Sequence, residues 1–245
     1  MNLCQFTLLL STLTFCGHSL SAADAGKLRL FVLAGQSNMR EVAPAAAFTP
    51  AVKQAFSNDE VVVVHYAEGG TPIRRWWQGW SGAHDVSATG ADQAPGDLYV
   101  TLMSKVTTAL AGRTPDSVVF MWMQGERDAK SGLSAFYEQA LKGLIQAVRD
   151  DLKQPGMGVV IGRLSDHQKG QEHWDAVRAI QEKVATQDPR GAWVDTDDLN
   201  GENNDLHCTK DGFVELGRRF AAKAVELLAR PIPAAPEPAE FKRAG

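Results

Sequence analysis

The sequence predicts an α/β fold in which helices cover both faces of a parallel sheet. Three observations predict it: short apolar runs recur along the chain, helical apolar patterns lie between and after them, and the length suits one sizeable domain. Of the 245 residues, 44% are hydrophobic and 22% are charged, as in ordinary globular proteins. A net charge of −4 gives no electrostatic reason to expect nucleic acid or an anionic membrane as a partner.

Five short apolar runs are predicted to form the strands of this sheet. Each run is too short for a typical helix, and several are rich in Val or Ile, as expected of parallel strands buried on both faces. The predicted strands are Leu28–Leu33, Val61–Ala67, Val118–Met123, Val159–Arg163 and Ala192–Asp195.

The predicted helices carry apolar residues at steps of three and four, which places one apolar stripe along a helix face. The longest pattern is Leu133–Leu152, and shorter ones cover Leu98–Leu110 and Trp174–Val184. A final helix is predicted over Lys210–Ala229, because Pro231 then prevents its continuation.

Both ends of the chain are predicted to lie outside the folded domain, which we place at residues 26–230. Within residues 1–25, the apolar run Phe6–Phe15 precedes a small-residue stretch that ends at Ala25. This pattern is typical of a secretory signal, and the run is shorter than the roughly 20 residues that span a bilayer. The alternative is a buried N-terminal helix. We expect a secreted or periplasmic bacterial protein that has no membrane contact after signal removal.

Two further expectations follow from these boundaries. Cys208 is the only cysteine outside the predicted signal, so no internal disulfide is expected. Residues 231–245 contain four prolines and little apolar surface, which predicts a flexible tail.

Polar segments stand at the carboxyl ends of the predicted strands, where reactive groups of such sheets gather. These segments are Gly35-Gln36-Ser37-Asn38-Met39 after the first strand, Glu68-Gly69-Gly70-Thr71 after the second, Gln124-Gly125-Glu126-Arg127-Asp128 after the third, and Asn204-Asp205-Leu206-His207 after the fifth. A hydroxyl nucleophile needs a base, an orienting partner and oxyanion donors. The four segments contain groups of all these types, which indicates acyl transfer by a serine.

The order Gly-Gln-Ser-Asn, Gly-Gly-Thr, Gln-Gly-Glu-x-Asp and a late Asp-x-His before a helix resembles the SGNH hydrolases. More narrowly, it is similar to their sialate O-acetylesterase and acetyl-xylan esterase branch, over roughly Leu28 to Ala229. The resemblance implies a three-layer α/β/α sandwich with a five-stranded parallel sheet of the flavodoxin-like SGNH type. It also implies a serine esterase that removes acetyl groups from carbohydrate without a metal or another cofactor.

Carried over position by position, the resemblance makes Ser37 the nucleophile and His207 the general base. The N–H groups of Ser37 and Gly69 and the side-chain amide of Gln124 become the oxyanion hole. Neighbouring residues of the same motifs are candidates for substrate binding: Gln36, Asn38 and Gly70.

The group that orients His207 is open. In this branch an acid usually stands three residues before the histidine, but that position is Asn204 here. A loop shift would let Asp205 reach His207, or Glu126 would serve across the strand ends. Alternatively, Asn204 would orient a neutral imidazole, as an Asn does in Cys-His-Asn sites. We favour Asp205 and place Glu126 second.

Several other residues have two interpretations. His65, His84, His167 and His173 lack the spacing of a metal site, so no metal is predicted. Cys208 adjoins the proposed base, but a lone cysteine is more often a small buried apolar side chain. Trp76 and Trp77 follow the second strand and form either a packed loop or a platform for a sugar. Two alternatives to the acetylesterase remain: an SGNH lipase or esterase of other specificity, and a catalytically inactive carbohydrate-binding relative.

Overall fold

The computed structural model describes residues 26–88 and 90–231. The predicted signal segment, residues 1–25, lies outside the described residues, and so do residues 232–245 of the predicted tail. Within the described parts of the chain, no helix combines the length and apolarity needed to cross a bilayer.

Five parallel strands form one sheet in the order β2-β1-β3-β4-β5, which confirms the predicted fold class. The strands are β1 Leu28–Gly35, β2 Glu60–Ala67, β3 Ser117–Met123, β4 Gly158–Gly162 and β5 Gly191–Val194. Their bounds differ from the predicted ones by at most two residues.

The helices are α1 Ser37–Arg40, α2 Phe48–Ala55, α3 Asp97–Leu110, α4 Glu126–Lys130, α5 Ser134–Asp151, α6 Glu172–Gln187 and α7 Lys210–Ala229. The four longest were predicted. Three were not, because α1 and α4 have only four and five residues and α2 buries only Phe48 and Val52. Segments of four to eight residues contain too few turns for a helical period to be recognised in the sequence.

The sheet separates two apolar cores, as alternation along β1 shows. Leu30 and Val32 pack on one side with α3, α5 and α6, while Phe31 and Leu33 pack on the other side with α2 and α7. Successive side chains of a strand point to opposite faces, so a strand that is apolar throughout serves both cores. The result is a three-layer α/β/α sandwich.

The register of the central strands brings the predicted motifs to one edge. Gly35, the last residue of β1, pairs with Ala67 of β2 and Met123 of β3. Gly35 has φ +153°, and a Cβ there would lie 1.9 Å from the carbonyl oxygen of Met123. Only glycine therefore fits where the chain leaves β1 and turns into the segment that carries Ser37.

Candidate active site

Ser37 and His207 meet at the carboxyl edge of the sheet although 170 residues separate them in the chain. Nε2 of His207 lies 3.0 Å from Oγ of Ser37, within hydrogen-bond distance. Ser37 begins α1, directly after β1, and His207 lies just before α7. Thr209 caps α7, since its Oγ1 accepts a hydrogen bond from the Gly212 N–H. The turn into α7 thereby fixes the segment that carries the histidine.

A pocket of about 300 Å³ surrounds this pair. Its lining residues are Gln36, Ser37, Arg40, Gly69, Gly70, Glu126, Arg127, Lys130, Leu206 and His207. Leu206 is the one apolar side chain among them, and the rest of the lining is polar, charged or glycine. Polar and charged groups therefore surround the Ser37–His207 pair, although most of the exposed surface of the pocket is apolar.

Two predicted oxyanion donors border the pocket. The N–H groups of Ser37 and Gly69 donate no hydrogen bond to any other described residue. The loop that carries Gly69 is held at both sides: the Glu68 N–H donates to the Gly35 carbonyl at 3.1 Å, and Nε of Arg127 donates to the Gly70 carbonyl at 3.1 Å. Fixed, unused donors beside the predicted nucleophile are what an oxyanion hole requires.

Gln124 lies behind the pocket. Its side chain is fully buried, and Nε2 donates to Asp128 Oδ2 at 2.6 Å, to the Thr71 carbonyl at 3.0 Å and to Gln36 Oε1 at 3.2 Å. These acceptors already occupy both amide hydrogens, so this geometry does not support the oxyanion role predicted for Gln124. The amide instead ties β3 to the loop after β2.

Gln36 supplies the side-chain amide that does line the pocket. Its Oε1 accepts from Gln124 Nε2 and, at 3.3 Å, from the Arg127 N–H. Both contacts hold the oxygen, and Nε2 of Gln36 has no partner among the described residues. The predicted substrate contact of Gln36 and Gly70 is thus consistent with their place in the pocket wall.

Asp128 also anchors the hydrogen-bond network of the Gln124 side chain. It is fully buried, and Oδ2 also accepts from the Ile73 N–H at 2.9 Å. Burial raises the pKa of its carboxyl group to about 7. Asp128 therefore holds the loop after β2 rather than reaching the substrate.

None of the three candidates for orienting the base forms a hydrogen bond with His207 among the described residues. Asp205 is exposed, and the side-chain oxygen of Asn204 is buried without a partner. Glu126 is 2% exposed; its Oε1 accepts from Asn38, its Oε2 has no partner, and burial raises its pKa. The orienting group therefore stays a prediction.

Trp76 and Trp77, which were predicted to bind substrate, differ in their burial. Trp76 is fully buried, and its ring lies 5.4 Å from that of Trp122, edge to face. Trp77 packs against the core, over Gly143 of α5, where an added Cβ would come within 2.3 Å of its ring. The packed-loop interpretation therefore fits the buried Trp76, whereas the contact of the partly exposed Trp77 with substrate stays a prediction. Asn38 is 3% exposed and lies outside the pocket lining, so its assignment to the substrate is also corrected.

Cys208 is unsuited to act as a nucleophile. It is 7% exposed and free, and burial raises the pKa of its thiol to about 12. A reactive cysteine needs the thiolate form near neutral pH. Cys208 therefore belongs to the core against α7, as the sequence favoured.

A five-stranded parallel sheet with a serine and a histidine within hydrogen-bond distance at its carboxyl edge has an arrangement that serine hydrolases use. The sequence profile described as "Carbohydrate esterase, sialic acid-specific acetylesterase" matches residues 39–226, a range that begins just after Ser37 and includes His207. The chain belongs to this family of carbohydrate esterases and is a carboxylic ester hydrolase. The comparison with curated proteins finds no significant match to the sequence.

Solved structures share the fold at low identity. A protein from Arabidopsis thaliana is 21% identical with a TM-score of 0.60, over 82% of this chain and 98% of that one. A carbohydrate acetylesterase from Xanthomonas citri is 17% identical with a TM-score of 0.62, over 82% of this chain and 56% of that one. Axe2, an acetylxylan esterase from Geobacillus stearothermophilus, is 14% identical with a TM-score of 0.53, over 82% and 96%.

Proposed function

We propose that this carbohydrate acetylesterase hydrolyses O-acetyl esters of sugars, on acetyl-xylan or O-acetylated sialic acid, by a serine–histidine mechanism. The observation that carries the proposal is the 3.0 Å contact between His207 Nε2 and Ser37 Oγ inside a pocket at the carboxyl edge of the sheet. Family membership supports the acetyl ester as substrate class. The geometry supports the roles of the two residues.

The first half of the reaction forms an acetyl-enzyme. His207 Nε2 takes the proton of the Ser37 hydroxyl as Oγ attacks the acetyl carbonyl carbon. The carbonyl oxygen becomes an oxyanion, which the N–H groups of Ser37 and Gly69 stabilise by donating hydrogen bonds. The bond from the carbonyl carbon to the sugar oxygen then breaks, and His207 gives its proton to that oxygen. The deacetylated sugar leaves.

The second half releases acetate. A water molecule gives a proton to His207 as its oxygen attacks the acetyl-serine carbonyl, and the same two N–H groups stabilise the second oxyanion. Collapse of this intermediate breaks the bond to Ser37 Oγ, which recovers the proton from His207. The enzyme returns to its starting state.

A substrate panel tests the proposal against its two alternatives. Membership of the acetylesterase family predicts hydrolysis of p-nitrophenyl acetate, acetyl-xylan or O-acetylated sialic acid, with little activity on p-nitrophenyl octanoate. A preference for the octanoate would indicate a lipase-like esterase. Binding of acetylated sugars without any turnover would indicate an inactive relative.

Export of the domain is a separate proposal, supported by the apolar run at Phe6–Phe15 and the small residues that follow it. N-terminal sequencing of the protein recovered from the periplasm or medium is expected to begin at Asp24 or Gly26. An N-terminus that retains residues 1–20 would contradict it.

Turnover is expected to be independent of metal ions. Within residues 26–88 and 90–231, no group of three or more His, Cys, Asp or Glu side chains is arranged to hold one. Three histidines bond protein groups instead: His65 the Met39 carbonyl, His167 the Asn204 carbonyl and His173 the Ser134 hydroxyl. Dialysis against EDTA should leave kcat/KM for p-nitrophenyl acetate unchanged. Activity that is lost on dialysis and restored by zinc or calcium would contradict the prediction.

A further inference from the structure

One side chain, that of Asn38, contacts the backbone on both sides of His207. Its Nδ2 donates to the Leu206 carbonyl at 3.1 Å, and its Oδ1 accepts from the Cys208 N–H at 3.1 Å. Leu206 C=O and Cys208 N–H belong to the two peptide groups that meet at the Cα of His207. The amide of Asn38 therefore fixes both peptide planes and, with them, the direction in which the imidazole leaves the chain.

The orientation of this amide follows from its neighbours. The Leu206 carbonyl is only an acceptor and the Cys208 N–H only a donor, so a flipped amide would place like groups opposite each other at both positions. The second hydrogen of Nδ2 goes to Oε1 of Glu126 at 2.8 Å. All three hydrogen bonds of Asn38 are thus formed, in an environment where Asn38 is 3% and Glu126 2% exposed.

The arrangement links nucleophile and base through adjacent residues. Asn38 directly follows Ser37 in α1, while its partners lie 88, 168 and 170 residues away in the chain. The short helix α1 therefore carries Ser37 and, through Asn38, contacts the backbone on both sides of His207. Because buried hydrogen bonds are costly to break, these contacts resist displacement of the His207 backbone relative to Ser37.

We propose that Asn38 is a positioning residue for the general base, which holds the two peptide groups around His207, and that Glu126 acts through Asn38 by accepting its second amide hydrogen. This inference rests on the proposed serine–histidine mechanism and gives Glu126 a role other than that of a triad acid. Burial raises the pKa of Glu126, but its Oε1 accepts a hydrogen bond whether or not the carboxyl is protonated.

Kinetics of Asn38→Ala are the first test. The variant is expected to lower kcat for p-nitrophenyl acetate by about 10²-fold, as small misplacements of a catalytic group do, with KM within about twofold of wild type. An unchanged kcat would overturn the proposal, and so would a raised KM at unchanged kcat, which indicates a substrate contact.

Gln181→Leu is the matched control. Gln181 is a fully buried amide on α6 with hydrogen bonds to the Leu164 N–H, the Gln124 carbonyl and the Tyr137 hydroxyl. Loss of the Gln181 amide should lower the free energy of unfolding, but it should lower kcat less than Asn38→Ala does.

A pair of Glu126 variants keeps the proposal testable if Asn38→Ala does not fold. Glu126→Met removes the acceptor at similar volume and is expected to lower kcat about tenfold. Glu126→Gln keeps an acceptor oxygen and should recover most of that loss, with the acid limb of the pH–rate profile unmoved. Equal damage by Met and Gln would overturn the proposal, because it would show that the charge of Glu126 is required.

Crystal structures separate failure of this inference from failure of the proposed function. In wild type, His207 Nε2 is expected within hydrogen-bond distance of Ser37 Oγ, and in Asn38→Ala that contact is expected to be lost. This readout does not depend on turnover of any ester. A variant that keeps the contact would overturn the positioning role even if the enzyme is active, whereas an inactive wild type that loses the contact in Asn38→Ala would contradict only the proposed function.

Discussion

Replacing Ser37 with alanine is expected to lower kcat for acetyl-ester hydrolysis by about 10⁵- to 10⁶-fold. The substitution removes the oxygen that attacks the ester and leaves the N–H groups of Ser37 and Gly69 in place, so the residual rate reflects oxyanion stabilisation and binding alone. Circular dichroism and thermal unfolding should match wild type, because the Ser37 side chain is partly exposed and its only hydrogen bond to a described residue is with His207.

Ser104→Ala is the matched control for this prediction. Ser104 is an exposed serine on α3, outside the pocket lining, so its replacement should leave kcat unchanged. A Ser37→Ala variant that keeps near wild-type turnover would show that another group is the nucleophile.

Replacing Asp205 with asparagine is expected to lower kcat by about 10⁴-fold if Asp205 orients His207 in solution. An amide neither stabilises the imidazolium form nor enforces the productive tautomer. Asp205 is exposed and its carboxylate bonds no other described side chain, so rotation toward Nδ1 of His207 breaks no existing contact. Loss of a nearby negative charge should also move the acid limb of the pH–rate profile to lower pH.

Two further variants complete this comparison across pH 5 to 9. Glu126→Gln is expected to cost less than Asp205→Asn, and Asn204→Ala least. If Glu126 is the triad acid, the first two effects exchange in size; if Asn204 orients the imidazole, Asn204→Ala is the most damaging. Asp211→Asn serves as the control, because Asp211 is an exposed carboxylate in the first turn of α7.

The sheet and its long helices were predictable because the spacing of apolar residues indicates which of their faces are buried. β1 is apolar at successive positions, as a strand that contacts two cores must be, and α7 ends just before Pro231. Helix α2 was missed because its eight residues bury only Phe48 and Val52. Two turns of helix repeat the 3.6-residue period too few times for it to be recognised in the sequence.

The contact between Ser37 and His207 was predictable because both stand at positions that the topology brings together. The direction of individual side chains was not. Ser37 lines the pocket while Asn38, the next residue of the same helix, points into the interior, and the motif gives no sign of that division. Trp76 likewise follows a strand end, yet the surrounding core of Tyr66 and Trp122 buries it. Only packing decides such cases.

Covalent labelling of Ser37 tests the central claim most directly. Diisopropyl fluorophosphate forms a stable phosphoryl adduct with an activated serine, and peptide mass spectrometry locates the adduct. We expect one adduct per chain, on Ser37, with activity falling in proportion to its formation. Complete inactivation with the adduct on another residue, or complete labelling of Ser37 with activity retained, would contradict the assignment of Ser37 as the nucleophile.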